Sequence, residues 1–264
     1  MVETAYVTTD GADIYYDYEG NGPLLLMIAG GGGDGERYGQ VSEILADEYK
    51  VVRYDRRCSS RSSGDREAPL KMAQQASDAV AIIQHLNETS AFVFGNSGGA
   101  NIALSLLETH LEAVQGLVVH EPPLVDLLPD AKEWQMFGEE LLEIFADQGT
   151  MPAMMKFWST FKGVPGPPGN RPPNVQNLEF LLSKEIASIS SYSADIEKLK
   201  ATDCPIVAVA GEASGDAYYA RAARILAERL DCPYKAFSGH HLSFATDPVD
   251  FAKDLREALN HLKN

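Results

Sequence analysis

The chain has 264 residues, of which 45% are hydrophobic, and this length suffices for one large α/β domain with a sizeable core. Lysine and arginine number 22 against 38 aspartates and glutamates, so the formal net charge is −16. A surface this acidic repels the phosphates of nucleic acids and of anionic membranes, and we expect neither as a partner.

The cysteines and the N-terminal segment indicate an intracellular protein. Cys58, Cys204 and Cys232 are widely spaced and show neither CxxC pairs nor metal-ligand spacing, which favours a reducing compartment. The N-terminus lacks the basic and apolar regions of a signal peptide. No apolar run approaches the roughly 20 residues needed to cross a bilayer. We therefore expect a soluble cytoplasmic protein.

The first half of the chain alternates between strands and helices. Residues 4–9 and 12–18 predict a hairpin, since the second segment partly alternates polar and apolar side chains. The apolar run 24–29 indicates a buried strand. The elements predicted next are a helix over 38–48, a strand over 49–54, a helix over 70–86 and strands over 91–94 and 116–120.

The segment Gly95-Asn96-Ser97-Gly98-Gly99 lies between the predicted strand 91–94 and an apolar helix that begins at Ala100. Strand, Gly-x-Ser-x-Gly and helix together are the context of a nucleophile elbow, in which a sharp turn presents the serine. The glycines leave room for this turn because they lack a β-carbon. The pattern predicts Ser97 as a catalytic nucleophile.

Residues 122–202 contain no predicted strand and are expected to form an inserted helical cap. Amphipathic helices are predicted over 133–147 and 152–161, before a proline- and glycine-rich loop over 163–173. Afterwards the pattern predicts a strand over 205–210, a helix over 218–230, a strand over 234–237 and a helix over 248–262. We expect a mostly parallel central sheet with helices on both faces, formed by residues 1–121 and 203–264.

A serine nucleophile needs a base, usually a histidine that a carboxylate orients. Of the six histidines, His240 and His241 lie in a loop just beyond the last predicted strand. Such loops gather at the carboxyl edge of a parallel sheet, where Ser97 is also expected. His120 ends the strand before the cap at the same edge.

Taken together, these features resemble the α/β-hydrolase family. The matching pieces are the hairpin, the glycines after the third strand, Tyr54-Asp55-Arg56-Arg57, the elbow and the Gly-His-His loop, in the expected order. In that family the histidine base precedes an apolar pair and an Asp-Pro or His-Pro helix start. Aligning Asp247-Pro248 with this pattern implies His241 as the base and His240 as its neighbour.

The acid departs from the common family pattern. The family usually carries Gly-x-x-Asp after the penultimate strand, but here that position holds Ser214, with Asp216 two residues later. Other members place the acid before the cap, where this chain has a His-Glu-Pro-Pro step. This step resembles the lactone hydrolases typified by fungal zearalenone lactonase and implies Glu121. Asp216 and Glu212 remain alternatives, and Glu121 as a solvated residue that opens the cap is the other interpretation.

An oxyanion hole needs two backbone donors. The N–H of Gly98, directly after the nucleophile, is the first. Aligning Ala29-Gly30 with the His-Gly of the family implies Gly31 as the second, with Gly32 as the alternative.

The glycine run permits a rival interpretation. Residues 30–35 also fit G-x-G-x-x-G after a strand, and Asp55 follows about 20 residues later, as in a dinucleotide-binding fingerprint. A run of glycines satisfies any glycine pattern, however, and a Rossmann domain does not require a serine elbow. We therefore expect Asp55, Arg56 and Arg57 to brace the loop.

These observations predict a serine hydrolase of the carboxylesterase or lactonase type that acts on a hydrophobic small molecule through an acyl-enzyme. Met154 and Trp158 belong to an apolar stripe that is expected to line the substrate site, form the cap core, or both. No metal or organic cofactor is implied, and a homodimer is a possible assembly. The alternatives are a C–C bond hydrolase with the same triad and a non-catalytic binding protein of the same fold.

Overall fold

The computed structural model describes residues 1–165 and 174–263. Within these residues, no helix combines the length and the apolar character that crossing a membrane demands. An eight-stranded sheet runs through the molecule in the order β1-β2-β4-β3-β5-β6-β7-β8. The strands are β1 (Glu3–Thr9), β2 (Ala12–Glu19), β3 (Leu24–Ile28), β4 (Lys50–Tyr54), β5 (Ala91–Asn96), β6 (Val114–His120), β7 (Ile206–Gly211) and β8 (Tyr234–Phe237).

The sheet is parallel from β4 to β8, and the hairpin β1–β2 adds two antiparallel strands at one edge. The hairpin turns at Gly11, whose φ of 74° favours glycine. The predicted mostly parallel sheet is therefore confirmed.

The helices are α1 (Gly39–Leu45), α2 (Met72–His85), α3 (Gly98–Thr109), α4 (Ala131–Gln148), α5 (Thr150–Trp158), α6 (Val175–Phe180), α7 (Ile186–Ser190), α8 (Ile196–Lys200), α9 (Tyr218–Leu230), α10 (Ser243–Thr246) and α11 (Pro248–His261). Helices α1 and α11 cover one face of the sheet, and α2, α3 and α9 cover the other.

Strand β3 is continuously apolar because both of its faces are buried. Leu24, Leu26 and Ile28 pack into one core, whereas Leu25 and Met27 pack into the other.

Between β6 and β7 the chain forms α4 to α8, with a core of its own around Leu141, Met154 and Leu182. We propose to treat residues 122–202 as a cap inserted into the core of residues 1–121 and 203–264. The predicted loop over 163–173 lies largely outside the described residues. Helices α6 to α8 were not predicted. A π turn, Leu181–Glu185, joins α6 to α7, and residues 175–190 are called the cap helix below.

Candidate active site

Ser97 stands at the tip of a sharp turn between β5 and α3, with φ of 55° and ψ of −128°. Such a conformation costs on the order of 1–3 kcal/mol for a non-glycine residue. The flanking glycines make the turn possible. A β-carbon added to Gly95 would lie 2.5 Å from Gly99 O, and one added to Gly99 would lie 2.2 Å from Ile28 O. The turn places Ser97 at the N-terminus of α3, where backbone N–H groups favour negative charge.

His241 and Glu121 form a buried hydrogen-bonded pair. The distance from His241 Nδ1 to Glu121 Oε2 is 2.6 Å, and Gly211 N donates to Glu121 Oε1 at 2.9 Å. Burial opposes ionisation of Glu121, but the adjacent imidazoles of His120 and His241 and the hydrogen bond from His241 outweigh it and lower its pKa to about 2. An ionised Glu121 holds the proton on His241 Nδ1 and leaves Nε2 able to accept one.

Aromatic rings fix the plane of the His241 imidazole. The ring centroids of Tyr219 and Phe161 lie 4.3 Å and 4.9 Å from that of His241. His240 is directed elsewhere, since its Nδ1 lies 3.2 Å from Leu242 N and its Nε2 3.2 Å from Thr246 Oγ1. Of the two adjacent histidines, His241 therefore carries the carboxylate partner.

The alternative acids lie away from this pair. Glu212 and Asp216 are exposed, and Asp216 lies beside Arg221 in a surface depression. Ser214, which occupies the common family position of the acid, is fully buried. The structure thus brings Glu121 to His241 and leaves Asp216 at the surface.

Asn96 and His120 link the elbow to the histidine loop, a role that sequence reasoning did not assign. Asn96 Nδ2 lies 2.7 Å from His120 Nδ1 and donates to His241 O at 3.4 Å. Burial lowers the pKa of His120 to about 4. The imidazole is therefore neutral at pH 7, and its Nδ1 accepts the amide proton. Both residues end adjacent strands, and this position in the sequence pattern could have indicated that they meet.

The glycine segment after β3 lies over the elbow. Gly32 N donates to Glu185 Oε2 at 3.3 Å, so this N–H is already engaged. That contact favours Gly31 over Gly32 as the second oxyanion donor beside Gly98.

Asp55, the residue that would bind a ribose in a dinucleotide site, is buried and accepts from Gly35 N at 3.0 Å and from Arg61 Nη2 at 2.9 Å. These bonds brace the loop and disfavour the dinucleotide interpretation.

One oxygen or nitrogen atom of each of His120, Glu121 and His241 lies within 4.8 Å of the others, a spacing that could suit a metal ion. The Nδ1 atoms of both rings already face hydrogen-bond partners, Asn96 and Glu121. Both rings therefore already use a ring nitrogen in hydrogen bonds within the protein.

A cavity of about 510 Å³ between cap and core contains Ser97 and His241 in its lining. This volume lies within the usual range for small-molecule sites. Six aromatic side chains contribute to the lining: Trp134, Phe137, Phe157, Trp158, Phe161 and Tyr218. Met154 and Trp158 both line the cavity, and Met154 is at the same time part of the cap core.

Known proteins share this architecture. A family model described as Serine aminopeptidase, S33, matches residues 22–202. An uncharacterized hydrolase of Bacillus subtilis (strain 168), YraK, is 32% identical over 260 residues, which cover 96% of this chain and 94% of that protein. A zearalenone hydrolase of Cladophialophora bantiana is 31% identical over 129 residues, 46% of this chain and 48% of that protein. A solved esterase from Thermogutta terrifontis has a TM-score of 0.80 at 17% identity and covers 99% of this chain and 100% of that chain.

Proposed function

The chain belongs to the serine aminopeptidase family and is an α/β hydrolase, and on this premise we propose an activity of the esterase and lactonase type, the cleavage of a carboxylic ester or lactone of a hydrophobic small molecule. One observation carries the proposal. Ser97 occupies a strained elbow in the same cavity as His241, whose Nδ1 lies 2.6 Å from Glu121 Oε2.

In the proposed reaction, His241 Nε2 accepts the proton of Ser97 Oγ as this oxygen attacks the carbonyl carbon of the substrate. Glu121 stabilises the imidazolium that forms. Collapse of the tetrahedral intermediate breaks the bond to the alcohol oxygen, which takes the proton from His241 and leaves an acyl-serine. Water that His241 deprotonates then attacks the acyl carbon, regenerates Ser97 and forms the carboxylic acid.

The N–H groups of Gly31 and Gly98 would stabilise the oxyanion of both tetrahedral intermediates. Two features support this assignment: Gly98 directly follows the nucleophile at the start of α3, and Gly31 lines the cavity beside Ser97.

The lining of the cavity supports a hydrophobic substrate, because the free energy falls when its aromatic and aliphatic side chains are covered and removed from water. The resemblance to a zearalenone hydrolase supports lactones among the candidates. We propose Met154 and Trp158 as residues that contact the apolar part of the substrate.

The test combines covalent labelling with a substrate panel. Wild type and Ser97→Ala are treated with a fluorophosphonate and their intact masses recorded, and both are assayed on p-nitrophenyl esters, aromatic lactones and a β-diketone. We expect one adduct and ester or lactone turnover in wild type, and neither in Ser97→Ala. A folded wild type without adduct or turnover would contradict the proposal and favour a binding protein. Turnover of the diketone alone would favour a C–C bond hydrolase.

A further inference from the structure

The cap helix (residues 175–190) contacts the core through residues spaced four apart: Asn177, Leu181, Glu185 and Ile189. In a regular α-helix, positions four apart rotate by about 40° at each step, so such a stripe would wind away from the core. The π turn Leu181–Glu185 lies in the middle of the stripe. Its wider i→i+5 turn reduces this rotation and keeps the four side chains on the core.

Two of these residues contact the proposed oxyanion donors. A β-carbon added to Gly31 would lie 3.1 Å from Leu181 Cδ1, and one added to Gly98 would lie 2.6 Å from Ile189 Cδ1. The same face of the cap helix therefore covers both glycines. Asn177 anchors this face at one end, since it accepts from Ser60 N at 2.9 Å and donates to Ser60 Oγ at 2.8 Å.

Glu185 contacts the core through a buried ion pair with Arg56. Arg56 Nη2 donates to Glu185 Oε2 at 2.7 Å and to Gly30 O at 2.8 Å. Gln75 accepts from the other terminal nitrogen of Arg56 at 2.6 Å. The side chains of Arg56 and Glu185 are 2% and 0% exposed, so the pair is shielded from solvent.

The ion pair holds the chain on both sides of Gly31. Arg56 binds the carbonyl of Gly30, and Glu185 accepts from the N–H of Gly32. The Gly30 carbonyl and the Gly31 N–H belong to one planar trans peptide and point in opposite directions. Two hydrogen bonds on the Gly30 carbonyl, from Arg56 Nη2 at 2.8 Å and from Gly33 N at 3.0 Å, therefore set the direction in which the Gly31 N–H points.

We propose that Arg56 and Glu185 are positioning residues that orient the Gly31 N–H for the oxyanion and make this orientation depend on the seating of the cap helix. The inference rests on the proposed function. The two side chains are 129 residues apart in sequence, one in the core and one in the cap. A displaced cap helix would remove the Glu185 carboxylate from Arg56 and from Gly32 together.

The chain offers a matched control for the test. Arg57, the neighbour of Arg56, forms a second buried pair with Asp78, with hydrogen bonds of 2.7 Å from Nε and Nη2. Asp78 lies on α2, so this ion pair connects Arg57 to a helix of the core and not to the cap helix. Glu185→Gln and Asp78→Asn each remove the carboxylate charge that pairs with a buried arginine, so both should lower the melting temperature.

We expect Glu185→Gln, compared with Asp78→Asn at a temperature where both are folded, to lower kcat about 10- to 100-fold, because removal of one oxyanion donor costs about 100- to 1,000-fold. KM should change less than about threefold, since substrate contacts with the cavity remain. Affinity for a trifluoromethyl ketone, which forms a charged tetrahedral adduct on the serine, should fall by the same factor as kcat. Affinity for the corresponding methyl ketone should not change.

Arg56→Lys is the second variant, because it keeps the positive charge but replaces two terminal nitrogens, one bound to Gln75 and the other to Gly30 and Glu185, by a single one. It should show the same split between kcat and KM even if Glu185→Gln does not fold. Equal kcat in the folded Glu185, Arg56 and Asp78 variants would overturn the inference while leaving the proposed function intact. A wild type that shows neither turnover nor a fluorophosphonate adduct would instead reject the proposed function and the inference with it.

Discussion

Ser97 and Glu121 follow neighbouring strands, and both have a positive φ, of 55° and 49°, which non-glycine residues rarely adopt. Strands β5 and β6 pair directly up to Asn96 and His120, and Ser97 N then donates to His120 O at 2.9 Å. Both side chains thus leave the sheet at the same edge. Two strained residues side by side are typical of a site where geometry is held by the surrounding fold.

The acid assignment predicts a large effect of Glu121→Gln on turnover. The amide keeps the shape but loses the charge that holds the proton on His241 Nδ1, so we expect kcat to fall about 100- to 10,000-fold. Asp216→Asn, at the exposed alternative, should stay within about twofold of wild type. Steady-state ester hydrolysis measures both variants. The reverse pattern would transfer the acid role to Asp216.

His120 predicts a specific loss of stability at acidic pH. Its pKa in the folded protein, about 4, lies below the ordinary histidine value of 6.5 because the ring is buried. The neutral form is therefore favoured in the fold, and stability is complete above pH 6.5 and lost as pH falls towards 4. The shift corresponds to about 3 kcal/mol. Chemical denaturation between pH 4 and 7 should show a shallower pH dependence for His120→Gln.

His261→Gln is the control for this measurement, since His261 is exposed near the C-terminus. It should keep the pH dependence of wild type. A His120→Gln curve parallel to that of wild type would show that His120 does not cause the loss.

Trp158 predicts a change in substrate size preference. The residue lines the cavity from α5, so Trp158→Ala should lower kcat/KM about tenfold for a bulky aromatic ester through lost apolar contact. An acetyl ester, which reaches less of the cap, should change less than about threefold. Met155→Ala on the same helix should change neither, because Met155 is 67% exposed. Equal losses for both esters in Trp158→Ala would indicate a structural role instead.

Local patterns in the sequence sufficed for the sheet, the elbow and the histidine loop. The apolar run of β3 and the glycines around Ser97 each express a constraint within a few residues, namely burial on both faces and a sharp turn. The loop of His240 and His241 could be placed because a parallel sheet gathers the loops after its strands at one edge. The choice of His241 over His240 rested on the resemblance to the family.

Contacts between distant segments could not be predicted in the same way. Arg56 and Glu185 meet only after the cap has folded onto the core, and nothing local to either residue indicates the other. The π turn that directs Glu185 inward cannot be predicted from the spacing of apolar residues, because the sequence around it fits a regular α-helix equally well. The bond between Asn96 and His120 likewise depends on the pairing register of β5 and β6.

The apolar lining of the cavity has a consequence for how the proposed reaction ends. Hydrolysis converts a neutral ester or lactone into a carboxylate, and an anion gains nothing from aromatic walls while it forfeits hydration. The ionised Glu121 next to His241 and the net charge of −16 add repulsion. The aromatic walls that favour the neutral substrate therefore do not favour its carboxylate product, and this difference assists product release.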